Sequence, residues 1–178
     1  IFLQAFLYCP FGGNSMLPEV GKILYSTDLS KSSMKAFDQA VYIAKKTGAD
    51  IYILHVVEKM SNDAKITLKT YVNDPESRRE FLEDRVRFAK EKLEVIQNEF
   101  WERLSLEDQN VRQQIKSIQV VEAYPAESIL KISQKLEVDL IVMGTHEKGV
   151  FQTFLGSVAK NVLSHSHIPM LIVPLPEL

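Results

Sequence analysis

A chain of 178 residues, 46% hydrophobic and 25% charged, has the length and balance of one soluble α/β domain that buries a full core without disulfides or metals. A net charge of −2, with Lys and Arg interleaved among Asp and Glu, leaves no electrostatic footprint for nucleic acid or an anionic membrane, and both are excluded as partners. The single cysteine, Cys9, excludes an internal disulfide framework and suits a reducing cytoplasm, which is the expected location.

Residues 1–15 differ in character from the rest of the chain. Ile1, Phe2, Leu3, Phe6, Leu7 and Tyr8 are apolar, yet a signal peptide needs a basic flank and a cleavage site, and a membrane span needs about twenty apolar residues. With Met16 as a natural start, residues 1–15 read as an amino-terminal extension or an expression-derived segment, and 16–178 as the folded domain.

From Lys22 the pattern becomes regular. Ile23, Leu24 and Tyr25 form a short apolar run ending at Thr27-Asp28, and Ser30, Ser32 and Ser33 offer caps for a helix. Phe37, Ala40, Val41 and Ala44 fall at helical spacing in that helix, and Gly48 ends it. Ile51 to Val57 is a second strand, apolar enough for burial on both faces. Polar and turn residues from Ser61 to Pro75 then precede a long helix, Glu76 to Leu104. Its apolar positions Leu82, Val86, Ala89, Leu93, Ile96 and Phe100 step by 4, 3, 4, 3 and 4 and so line one face. Trp101 reads as core.

Ile118 to Val121 is the third strand. Tyr124-Pro125-Ala126-Glu127 opens a helix with proline at its first position, and Ile129, Leu130, Ser133 and Leu136 form its buried face. The fourth strand, Leu140 to Met143, breaks at Gly144. A polar loop from Thr145 to Thr153 comes next, Gly156-Ser157 opens another helix, and Met170 to Val173 is the last strand. Five strands joined by four connections, each holding one helix, predict a parallel sheet.

Gly156-Ser157 is the first candidate for chemistry, because N–H groups at a helix start have no intrahelical acceptor and attract anions. Gly156 lets a ligand approach the backbone, and the Ser157 hydroxyl either donates to a phosphate or caps the helix. His165 and His167 lack a further ligand nearby in sequence, so no metal is expected. No Ser-His-Asp set or carboxylate pair emerges, so fast turnover is not expected.

The series Tyr25-Ser26-Thr27-Asp28, Ile53-Leu54-His55-Val56-Val57, Pro125-Ala126-Glu127, Val138 to His146, Leu155-Gly156-Ser157-Val158-Ala159 and Ile168 to Val173 resembles the universal stress protein family from about Lys22 to Pro174. The resemblance implies a single doubly wound α/β domain with a five-stranded parallel sheet of order 3-2-1-4-5 and helices on both faces. It also implies an adenine-nucleotide site, with Mg only alongside the nucleotide. Asp28 would meet the adenine or ribose end, Val56 or Val57 would line the adenine pocket, and Gly144 would approach ribose or phosphate, with Thr27 and Met143 also in the site. Gly156, Ser157 and Val158 would hold phosphate. His146, on the ligand loop, either bonds its surroundings or touches the nucleotide. ATP-binding members read Gly-x-x-Gly, nine residues, then Gly-Ser or Gly-Thr. Here Glu147 replaces the second glycine and eight residues separate it from Gly156, leaving Gly149 to take over part of the role. A carboxylate there weakens triphosphate binding by roughly 1–3 kcal/mol. The expected function is an ATP-binding regulatory module that acts through assembly or a protein partner, against a dimeric scaffold that has lost the nucleotide. The expected assembly is a homodimer through Met170 to Val173, an apolar edge strand bracketed by Pro169 and Pro174.

Overall fold

The computed structural model describes residues 17–30, 33–145 and 155–174. The expectations for residues 1–15, Met16, His146, Glu147 and Gly149 therefore lie outside the described residues. In chain order the elements are β1 (Lys22–Thr27), α1 (Ser33–Thr47), β2 (Asp50–Glu58), α2 (Asn62–Tyr71), α3 (Pro75–Glu102) and α4 (Leu106–Gln109). A 3-10 turn (Asn110–Gln114) leads into β3 (Ile115–Ala123), followed by α5 (Pro125–Leu136), β4 (Leu140–Gly144), α6 (Ser157–His165) and β5 (Met170–Val173).

The strands form one parallel sheet of order β3-β2-β1-β4-β5, the order the family resemblance implies. Its centre is β1, which pairs Ile23 with both Ile51 and Leu140. One face of the sheet meets α1 and α3 around Tyr25, Phe37, Leu93, Phe100 and Trp101, and the other meets α5 and α6 around Leu24, Leu54, Ile129, Ile141 and Val162. Phe37 is the hub of the first layer, with ring centroids 4.9 Å from Tyr25, 4.4 Å from Phe100 and 5.9 Å from Trp101.

Local chemistry sets the ends. Ser30 Oγ accepts from Ser33 N–H at 3.1 Å at the start of α1, and Gly48 closes that helix at φ +79°, donating to Ala44 O at 2.8 Å. Asp74 Oδ2 accepts from Ser77 N–H at 2.7 Å, and Pro75 occupies the first position of α3. At the amino end of the sheet, Asp139 Oδ2 accepts from the N–H groups of Gly21 and Lys22 at 2.9 and 2.8 Å, tying β1 to β4.

Two expectations need correction. Ser61 to Pro75 is not only turn, because it contains α2, capped by Ser61 Oγ, which accepts from Ala64 N–H at 3.1 Å. No α2 residue is buried, so an apolar stripe never formed in the sequence to announce it. The β2–β3 connection accordingly holds α2, α3, α4 and the 3-10 turn rather than one helix. The third strand also extends beyond Ile118–Val121 to Ile115–Ala123, since β2 supplies a nine-residue template whose pairing carries it past its apolar centre.

Candidate functional site

β1 and β4 are neighbours whose connections leave in opposite directions, which opens a crevice at their carboxyl ends. A cavity of about 530 Å³ lies there. Thr27 and Asp28 wall it from the end of β1, Val56 from β2, and Met143 and Gly144 from β4. Gly156, Ser157 and Val158 close it from the start of α6. Residues as far apart in sequence as Thr27 and Val158 are thus brought together. Val57 is not among them. It is buried on the opposite face with Tyr25 and Ile53, because side chains alternate along β2 and Val56 takes the cleft side.

The turn after β1 is held by a dense network. Thr27 Oγ1 accepts from Leu29 N–H at 3.0 Å and lies 2.8 Å from Ser33 Oγ, which donates to Ser30 O at 2.7 Å. Asp28 Oδ1 accepts from Ser30 N–H at 2.9 Å, an Asx turn that sets the carboxylate at the rim. Leu29, buried beneath, adopts φ +61°, a left-handed conformation costly for a side chain of that size. Tyr25 donates to Ser33 O at 2.8 Å, and burial pushes its phenol up to about 12.

Strand register adds walls the sequence did not single out. Thr27 pairs with His55, whose Nδ1 lies 2.8 Å from Thr27 O. His55 and Glu58 both line the cavity from β2, while Pro125 and Ile129 of α5 line its apolar side. Their shared signal was position: each lies at a strand's carboxyl end or a helix's amino end. Arg85 of α3 braces this end of the sheet, bonding Glu58 O at 2.7 Å and Glu122 Oε1 at 3.0 Å.

At the opposite side, α6 begins with Gly156 at φ −58°, ψ 155° and no side-chain cap. Its first N–H groups therefore receive no side-chain cap from Gly156 and carry the positive end of the helix dipole. The cleft is thus polarised. Carboxylates at the β1 and β2 ends, Asp28 and Glu58, stand opposite a helix start suited to an anion. A separate, more open hollow of about 410 Å³ beside α3, lined by Leu82, Val86 and Lys90, shares no residue with it. His165 and His167 are exposed, and among the described residues no cluster of three or more His, Cys, Asp or Glu has a metal-holding arrangement.

The family model described as the Universal stress protein family matches residues 19–174. The chain belongs to the universal stress protein family. Among its relatives, Universal stress protein MJ0531 of Methanocaldococcus jannaschii is 30% identical over 88% of this chain and 83% of its own length. Universal stress protein YxiE of Bacillus subtilis is 33% identical over 85% of this chain and 97% of its own. Among solved structures, MJ0577 aligns with a TM-score of 0.62 at 28% identity, covering 89% of this chain and 99% of that one. The universal stress protein from Lactobacillus plantarum, 21% identical, aligns at the same TM-score of 0.62 over 88% and 99% and shares the fold. No helix among the described residues of this universal stress protein is long and apolar enough to cross a membrane.

Proposed function

We propose that the cleft binds an adenine nucleotide, with its base toward β1 and β2 and its phosphate at the start of α6, and that occupancy acts through assembly or partner binding rather than turnover. The observation that carries this reading is the uncapped amino end of α6, opening on a cavity of about 530 Å³. A ligand phosphate would supply acceptors for the N–H groups of the first turn, beginning with Ser157 and Val158, and Gly156 keeps that approach clear. The volume suits a nucleotide. ATP is the form the family resemblance implies, and Mg²⁺ would enter with it. Differential affinity of the nucleotide for two arrangements of the protein would shift their populations.

Calorimetry with ATP tests the reading. Heat of binding that disappears in Gly156→Trp is the expected outcome, and no heat with the unmutated chain overturns it. A scaffold without nucleotide is supported by one feature: among the described residues that line the cleft, Asp28 and Glu58 are acidic and none is Lys or Arg. Mass spectrometry of small molecules released on denaturation of the purified protein separates the two.

For the assembly, we propose a homodimer joined along β5. This strand pairs only with β4 among the described strands, so its outer edge offers N–H and C=O groups to a second copy.

A further inference from the structure

We infer that Ser26 sets base specificity from the floor of the cleft, its hydroxyl donating a hydrogen bond to a ring nitrogen of the bound purine; the inference rests on the nucleotide reading above. Ser26, in β1, is only 8% exposed, yet it lines the cavity. Alternation along the strand puts its side chain on the same face as Leu24, which packs with Leu54, Ile129 and Met143 on the side where the cleft opens. Its register partners are Leu54 of β2 and Met143 of β4. The hydroxyl bonds no described residue and is not among the polar atoms sealed in the interior without a partner, so the space it meets is the cleft.

A hydroxyl enclosed by apolar side chains is costly unless something bonds it. Its neighbours on this face, Leu24, Leu54 and Met143, are apolar and buried, so an apolar side chain would suit the fold equally well at this position. What the hydroxyl adds is a donor for a ligand. Of the strand side chains that line the cleft on this face, Val56 and Met143 are apolar and the Glu58 carboxylate only accepts, which leaves Ser26 to donate. Asp28, likewise an acceptor, stands exposed at the rim. Both carboxylates suit the donors of a nucleotide, its sugar hydroxyls and amine, whereas Ser26 suits an acceptor. With the phosphate at α6, the flat base is the part that fits the floor among Val56, Met143 and Ile129. A purine carries acceptor nitrogens along its ring edge, and one of these meets the hydroxyl.

The competing account is that a serine stands here only because it is small. Ser26→Ala keeps the clearance and removes the hydroxyl, which separates the two. Calorimetry would compare ATP with its 1-deaza, 3-deaza and 7-deaza analogues, each of which replaces one ring nitrogen by a C–H group, on the unmutated chain and on Ser26→Ala. For one analogue the unmutated chain should bind about five- to tenfold more weakly than it binds ATP, the value of one neutral hydrogen bond, and that gap should close on Ser26→Ala. The free variant should unfold in urea at the same midpoint as the unmutated chain or a higher one, because no bond within the protein is lost. ATP bound equally by both proteins, or gaps that are the same on both, overturns the assignment while leaving the nucleotide reading intact. A lower midpoint in the free variant also overturns it, since the hydroxyl would then have a partner inside the protein. So does complete loss of ATP binding in Ser26→Ala, which exceeds what one hydrogen bond supplies. If the unmutated chain gives no heat with ATP, the nucleotide reading falls and this inference falls with it.

Discussion

Tyr25 illustrates how much of this molecule is decided by single side chains under the cleft. Burial raises its phenol from 10.0 to about 12. Between those values the unfolded chain gives up a proton that the folded chain keeps, so unfolding becomes easier as pH rises through the window. Urea midpoints should therefore fall as pH rises from about 10 toward about 12, and Tyr25→Phe should flatten that slope while losing the bond to Ser33 O. Thr27 is the second such residue. Its hydroxyl group serves both Leu29 N–H and Ser33 Oγ in a buried setting, so Thr27→Val should cost about 1–3 kcal/mol in chemical denaturation. The same substitution frees the strained Leu29 turn, and nucleotide affinity should drop with it.

At the scale of elements, Gly48 and Ser61 have separable roles. A Cβ on Gly48 would meet nothing within 4 Å, so Gly48→Ala isolates the backbone term at φ +79° and should lower stability by about 1–2 kcal/mol. Ser61→Ala removes the cap of a helix with no fully buried residue. Amide exchange across 62–71 should accelerate while the global unfolding midpoint stays put, because local opening of α2 exposes no core. The contrast between α2 and α3 also marks what the sequence could convey. The stripe from Leu82 to Phe100 announced α3, since buried faces write a period into the chain, and the same logic exposed α1, α5 and the strands. α2 wrote no period and was read as turn. In the site, Gly156-Ser157 was legible because a helix start carries recognisable residues, whereas Asp28 and Gly144 came with the family resemblance, since setting them side by side depends on the strand order. The choice between Val56 and Val57 was not, since which side of β2 faces the cleft depends on the layers packed against each face of the sheet. The place of His55 in the wall stayed hidden for a related reason: only the pairing Thr27↔His55 puts it at the cleft.

For the whole molecule, the sheet has two edges with different characters. β3 is nine residues long and carries Lys116 and Glu122 in ion pairs with Asp50 and Arg85, whereas β5 is four residues, all apolar. Charges discourage edge pairing and a short apolar edge permits it, which is why the proposed dimer uses β5. Light scattering at micromolar concentration should give a dimer mass that Ile172→Lys converts to a monomer mass, with circular dichroism unchanged. A monomeric unmutated chain would reject the proposal.

The position of β1 between β2 and β4 has a consequence for how the protein is made. β1 can dock with β2 soon after synthesis begins, but its other neighbour starts at Leu140, and the helix that closes the cleft starts at Ser157. A ribosome-bound chain that stops short of α6 has a half-built sheet with one flank of β1 bare and no place for a ligand. A nucleotide bound as proposed would therefore stabilise only a chain that has reached α6: its binding energy would enter after the longest loop has closed, where it would slow unfolding rather than guide the search.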